Sequence, residues 1–131
     1  MLDYPALLAL AAVVETGSFD RAAARLAVTP SAISQRIRQL EERTGTALVV
    51  RGQPARATAV GARLVRHVGE TRLMEARLAQ DIAADLPAPL MVDGPRPVRV
   101  AVNADSLATW FIEAMRGAPE FLFDLVIDDQ D

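Results

Sequence analysis

The chain contains no cysteine and a single histidine in 131 residues. Without cysteine there can be no disulfide framework, no thiol nucleophile and no cysteine-based zinc site, and one histidine cannot supply a histidine-rich metal or catalytic cluster. No apolar run approaches the roughly 20 residues that cross a bilayer, and the first charged side chain, Asp3, is acidic where a secretory signal peptide is basic. These absences predict a cytoplasmic protein with no metal ion, no cofactor and no membrane contact.

Motifs that cradle phosphate or activate a nucleophile are also missing. The sequence has no glycine-rich phosphate loop, no G-x-S-x-G, no H-E-x-x-H and no plausible Ser/His/Asp set around His67. We therefore predict that the protein is not an enzyme. Lysine is absent too, so all 14 basic residues are arginines. The planar arginine fork suits phosphate and base edges, although a biased composition is the simpler explanation.

Charge and proline divide the chain into two parts. Residues 1–80 carry 11 arginines against 7 acidic residues, a net charge of +4, whereas residues 81–131 carry 3 against 10, a net charge of −7. Four of the 8 prolines fall within residues 87–97, a composition typical of a linker. The pattern predicts a mildly basic N-terminal module joined to an acidic C-terminal one.

Apolar spacing and capping residues predict three helices before residue 45. Apolar residues recur every three or four positions over residues 4–16. Gly17 suits the end of this first helix, and Ser18 suits the N-cap of a second short one. Thr29 and Pro30 then suit the N-cap and first position of a third helix.

The third helix has two contrasting faces. At 100° per residue, Ile33, Ile37 and Leu40 form a buried stripe. Short hydroxyls, an amide and a guanidinium suit the edges of bases in a major groove, whereas a solvated polar face is the general alternative. The context of helix, tight turn and helix favours DNA. The opposite face carries these groups on Ser31, Gln35 and Arg38, with Ser34 at its margin.

A short hairpin follows the third helix. Residues 47–51 read as a strand, residues 52–54 as a turn and residues 55–57 as the returning strand. Arg51 and Arg56 near its tip could contact the DNA backbone or minor groove as a wing does. An exposed hairpin with incidental charge is an equally good interpretation of either arginine alone.

A long helix and one βαβ unit complete the predicted architecture. Thr58 can cap a long helix over residues 59–84. This helix repeats an apolar residue every three or four positions over roughly 40 Å, too far for a three-helix head to cover, which predicts a coiled-coil-like dimer helix. His67 lies beside this stripe and is expected to be a solvated or packing residue. Alternating valines at residues 98–102, a helix over residues 107–115 and an alternating strand at residues 121–127 predict a βαβ unit. The acidic residues 128–131 are expected to be a solvated tail.

Residues 1–61 resemble the winged helix-turn-helix of LysR-type transcriptional regulators. The resemblance is carried by Ser18-Phe19-x-x-Ala22-Ala23, by the run from Val28-Thr29-Pro30-Ser31 to Gln39-Leu40-Glu41, and by Thr58-x-x-Gly61. The stretch from Ala101 to Trp110 is similar to the branch that controls basic amino-acid export, the ArgP/LysG type. Some members of that branch are also inhibitors of replication initiation.

The resemblance implies a mainly α fold in which residues 1–58 bind DNA, residues 59–86 dimerise, residues 87–97 form a hinge, and residues 98–131 begin an α/β effector domain. It implies an inverted-repeat operator on double-stranded DNA, a homodimer or tetramer, and a basic amino acid as co-inducer. The effector domains of this family have two lobes, so the co-inducer pocket is expected to be incomplete in this chain. The implied DNA contacts are Thr29, Pro30, Ser31, Ser34, Gln35, Arg38, Arg51 and Arg56.

The implied co-inducer contacts are Asn103, Asp105 and Ser106, with Ser106 best placed for an amino-acid carboxylate. Helix capping by Asp105 or Ser106 is the structural alternative and can coexist with binding. Two other functions stay open: a replication-initiation inhibitor or nucleoid-type DNA binder, and a coiled-coil protein-interaction module that does not bind DNA.

Overall fold

The computed structural model describes residues 2–92, 96–118 and 121–127. The chain divides between residues 70 and 71 into two units, and the described residues on each side form a compact body. The predicted acidic tail at residues 128–131 and part of the predicted hinge, residues 93–95, lie outside the described residues. Across the described part of the chain, no helix combines the length and the apolar character needed to cross a membrane.

Three helices build the body of the first unit, and the predicted capping residues delimit them. Gly17 and Gly45 adopt left-handed conformations with φ of 69° and 70°, which stop the first and third helices. The hydroxyls of Ser18 and Thr29 accept hydrogen bonds of 3.2 and 3.1 Å from the N–H groups three residues further on. The helices are α1 (Tyr4–Thr16), α2 (Phe19–Arg25) and α3 (Pro30–Thr44).

The core of the first unit is made of aliphatic side chains. The inner stripe predicted for α3 is confirmed, because Ile33, Ile37 and Leu40 have at most 1% of their surface exposed. Alanines at positions 22 and 23 of α2 are buried as well, so small side chains line its inner face. Other large side chains with at most 1% exposure are Leu7, Leu10, Val13, Leu48 and Val68.

The predicted hairpin is present but its strands are shorter than expected. β1 (Val49–Val50) pairs antiparallel with β2 (Arg56–Ala57), two residues on each side. Residues of the predicted strands that flank these short pairs form hydrogen bonds outside the hairpin. The backbone N–H of Ala55 donates to the Gly17 carbonyl at 2.8 Å, which fastens the returning arm of the hairpin to the turn between α1 and α2.

The long helix α4 (Ala59–Asp81) begins at the predicted cap, because the Gly61 N–H donates to Thr58 Oγ1 at 3.1 Å. It ends three residues before the predicted position 84 and is followed by a 3₁₀ turn at Ala83–Asp85. In the first unit Val68 is fully buried, whereas Met74 further along is 68% exposed. His67 is exposed beside the stripe.

The second unit contains the predicted βαβ arrangement. β3 (Arg96–Val102) and β4 (Phe121–Ile127) run parallel, with Val98 opposite Phe123. Between them lie α5 (Ala104–Ser106), a π-helical stretch (Leu107–Phe111) and α6 (Ile112–Arg116). This helical segment begins three residues earlier than predicted, because Asn103 Oδ1 accepts a 2.7 Å bond from the Ser106 N–H and caps it.

Candidate nucleic-acid interface

The outer face of α3 is open to solvent. Ser31, Gln35 and Arg38 are all exposed, and Ser34 is half-buried at the margin, as the helical spacing predicts. The inner stripe of the same helix is fully covered, so the division between the two faces is sharp. Since α3 has four turns and its polar side chains project from one side, this face can enter a major groove.

The start of α3 adds groups that suit phosphate. Thr29 and Pro30 are exposed, and the proline occupies a first-turn position, where its missing N–H costs nothing. The Thr29 hydroxyl accepts the Ala32 N–H at 3.1 Å, which leaves its own proton able to donate to a phosphate oxygen. The positive end of the helix dipole favours an anion at this position.

The two wing arginines occupy different environments. Arg56 lies on β2 with an exposed side chain. Arg51 follows β1 directly and is also exposed, but its guanidinium carbon lies 4.6 Å from the centre of the Phe19 ring, a cation–π geometry. Sequence reasoning missed this contact, because the two residues lie in different elements.

Glu41 joins α3 to the hairpin. Its carboxylate oxygen Oε1 accepts the N–H of Leu48 at 2.8 Å and of Val49 at 3.4 Å. These N–H groups start the first arm of the hairpin, and Leu48 is fully buried. Glu41 is among the residues that carry the predicted family resemblance, yet nothing in its spacing indicates the bond to Leu48, which spans seven residues and a change of chain direction.

Close backbone approaches fix the wing from two further sides. A Cβ added to Gly61 would overlap the carbonyl oxygen of Leu48, so α4 and the first arm can approach only through a glycine. A Cβ added to Gly17 would lie 2.8 Å from Cβ of Pro54. The turn between α1 and α2 and the wing tip border an open groove of about 580 Å³, lined by residues 16–21 and 52–55.

The predicted effector residues lie in the second unit at the end of β3. Asn103 and Asp105 are exposed and Ser106 is half-buried. The structural alternative, that Asp105 or Ser106 caps the helix, is wrong, because the capping side chain is Asn103. The Asn103 amide oxygen is therefore used by the helix, while its NH₂ group can still donate.

Three helices, the third of which has an exposed polar face, and a two-stranded wing define a winged helix-turn-helix domain. Residues 5–62 match the family model of bacterial regulatory helix-turn-helix proteins of the LysR family. Residues 5–62 are therefore a helix-turn-helix domain of the LysR family.

Individual relatives extend the likeness beyond that domain. The chain is 49% identical over 130 residues to the HTH-type transcriptional regulator LysG of Mycobacterium tuberculosis, covering 99% of this chain and 41% of the relative. It is also similar to the full-length LysG of Corynebacterium glutamicum with bound effector Arg, at a TM-score of 0.64 and 32% identity over 99% of this chain and 44% of that one. The predicted resemblance to LysG-type regulators is confirmed, and the chain spans about two fifths of the length of these relatives.

A complex with DNA is among the similar structures. The BenM DBD bound to catB site 1 DNA has a TM-score of 0.54 and 28% identity, covering 63% of this chain and 97% of that one. The likeness therefore includes a relative whose structure was solved on a DNA site.

Proposed function

We propose that the chain binds double-stranded DNA sequence-specifically, as a cytoplasmic LysR-type transcriptional regulator, with α3 in the major groove. The observation that carries this proposal is the contrast within α3, where Ser31, Gln35 and Arg38 are exposed while the inner stripe is fully buried. The similarity to the BenM DBD, which was solved on DNA, supports it. Residues 1–58 are the proposed DNA-binding domain.

The polar side chains divide into two proposed roles. Gln35 and Arg38 can pair in bidentate fashion with adenine and guanine, and Ser31 and Ser34 can bond to base edges or phosphate. Thr29, with Pro30 fixing the start of the helix, and the wing residues Arg51 and Arg56 are proposed to hold the phosphate backbone. Base contacts would set the sequence preference, and phosphate contacts would set the register of the protein on the duplex.

Dimerisation is proposed to run through α4 and the residues up to 86. Met74 and Leu78 on the predicted stripe are 68% and 53% exposed, so the stripe offers an apolar surface to a second copy. A two-fold dimer presents two copies of α3 and therefore requires an inverted repeat. Pairing of two dimers into a tetramer is proposed from the family resemblance.

The proposed co-inducer is a basic amino acid, and the proposed target is a gene for lysine or arginine export. The similarity to LysG with bound effector Arg supports this choice. The second unit would contribute Asn103, Asp105 and Ser106 to the pocket, which needs further residues to be complete. The proposed hinge before it is shorter than the predicted range 87–97, since β3 begins at Arg96.

Selection of the chain on a library of random duplexes tests the proposal. We expect enrichment of an inverted repeat whose half-sites lie about one helical turn, roughly 10–10.5 bp, or a multiple apart. Binding without enrichment would favour the nucleoid-type or replication-inhibitor function instead. No retention of DNA at physiological salt would favour a protein-interaction module.

A further inference from the structure

The stacking of Arg51 on Phe19 involves an aromatic residue to which sequence reasoning assigned no role in DNA binding. The guanidinium carbon lies 4.6 Å from the ring centroid, within the range of about 6 Å in which an arginine is attracted to an aromatic face. Arg51 is exposed and Phe19 is half-buried. The pair therefore lies at the surface, and the Phe19 ring packs against the core on its inner side.

Both partners are held by the fold independently of the stacking. Phe19 opens α2 next to the capping residue Ser18, and its ring packs on the edge of the core. Arg51 lies between β1 and the wing turn. The N–H of Ala55, just after that turn, donates a hydrogen bond to the carbonyl of Gly17, which is two residues before Phe19 in the sequence. The same contacts that seat the wing therefore bring Arg51 over the ring.

Stacking changes what the arginine can do. A free arginine side chain samples many rotamers, and part of that freedom is lost whenever it binds a phosphate. With its guanidinium resting on the ring, the side chain is restricted in advance, while N–H groups directed away from the ring stay available. Bidentate recognition of phosphate uses two such N–H groups on one edge of the guanidinium plane.

We propose that Phe19 is a positioning residue for DNA binding: its ring orients the Arg51 guanidinium for a bidentate contact with a phosphate of the duplex. The inference rests on the proposed function. It assigns Phe19 an action through Arg51 and no contact of its own with DNA.

A double-mutant cycle on the full chain tests this. Affinity for the duplex obtained by selection is measured for the wild type, Phe19→Leu, Arg51→Ala and the double variant. Leucine keeps an apolar side chain on the core but removes the ring face, and we expect Phe19→Leu to weaken binding about twofold to fivefold, the range a surface cation–π pair supplies. The double variant should bind no more weakly than Arg51→Ala, and Phe19→Trp should bind at least as well as the wild type.

The second wing arginine provides the matched control. The cycle of Phe19→Leu with Arg56→Ala should be additive, whereas the cycle with Arg51→Ala should not. Additivity in both cycles, or an unchanged affinity in Phe19→Leu, would overturn the inference while leaving DNA binding intact.

A readout without DNA separates the two proposals. In the free protein the δ-methylene protons of Arg51 should resonate upfield because of the ring current, and the shift should vanish in Phe19→Leu. If the wild type shows the shift but retains no duplex, the proposed function fails. If it binds the duplex without the shift, the positioning role fails.

Discussion

The two units of the chain differ in how they cover their apolar side chains. In the first unit, residues 1–70, eight large aliphatic residues have under 2% of their surface exposed. In the described part of the second unit, Val102 and Phe111 are buried at 7% exposure, while Trp110 is 60% and Ile127 is 55% exposed. The first unit exposes Leu2, Val50 and Val60 but covers eight large aliphatic side chains almost completely, whereas the described part of the second unit covers none of its large apolar side chains to that degree.

The difference arises from the elements available to each unit. Three crossing helices and a hairpin surround a common interior, so each of the three helices buries side chains against the others. A pair of parallel strands with one helical crossover can cover only one face of the sheet, and parallel sheets are otherwise buried on both. Stability and binding effects should therefore concentrate in the first unit.

The largest expected effect is from truncating a core side chain of α1. Leu10→Ala should lower the free energy of unfolding of the first unit by about 2–5 kcal/mol, because Leu10 is fully buried and its loss leaves a cavity. Met91→Ala, at a position 90% exposed in the second unit, should change it by less than about 0.5 kcal/mol. Denaturant unfolding followed by far-UV circular dichroism measures both.

The aromatic composition allows the two units to be followed separately. The sequence has one tryptophan, Trp110 in the second unit, and one tyrosine, Tyr4 in the first. Leu10→Ala should move the dichroism transition, which is dominated by helices, and leave the Trp110 fluorescence transition in place. Equal movement of both would mean that the units unfold as one and would break the comparison.

A partly buried hydrogen bond should give the next largest effect. Glu41→Ala leaves the N–H of the fully buried Leu48 without its carboxylate acceptor, so we expect a loss of about 1–3 kcal/mol in the same unfolding experiment. The matched variant in the second unit is Glu113→Ala. Its ion pair with Arg116, at 3.6 Å, has side chains 82% and 74% exposed, and surface pairs contribute little. A larger loss from Glu113→Ala would contradict the assignment.

Local signals in the sequence are sufficient for the helices of the first unit and insufficient for the contacts between elements. Ser18, Thr29 and Thr58 cap helices as predicted, since capping depends on residues three apart. The Arg51 contact with Phe19 and the Glu41 bonds depend on how the chain folds back, which no local pattern encodes. The cap expected for the helix of the second unit is wrong, because several polar residues compete for that position.

The base-reading role of α3 should give an effect confined to DNA with the preferred sequence. Gln35→Ala should cost about 1–3 kcal/mol of binding and relax the preference at one base pair, because the amide can pair with adenine in bidentate fashion. The matched control is Gln80→Ala, which removes an exposed amide of the same kind near the end of α4, in the second unit. It should change neither the binding free energy nor the base preference. Competition titrations with single-base variants of the selected duplex measure both. Equal losses for Gln35→Ala on the preferred and on random duplexes would refute direct readout by this residue.

Arg56→Ala should have the smallest effect on DNA binding. This variant tests whether the wing acts through charge alone. Arg56→Ala should weaken binding to all sequences alike, because a phosphate contact carries no base information. Each phosphate neutralised contributes about 0.9 to the slope of log affinity against log salt, so the slope should flatten by about that amount. Arg116→Ala removes another exposed arginine, from the acidic second unit, and should leave the slope unchanged. If the two variants flattened the slope equally, net charge and not the position of the wing would govern binding, and the functional contrast between the units would disappear.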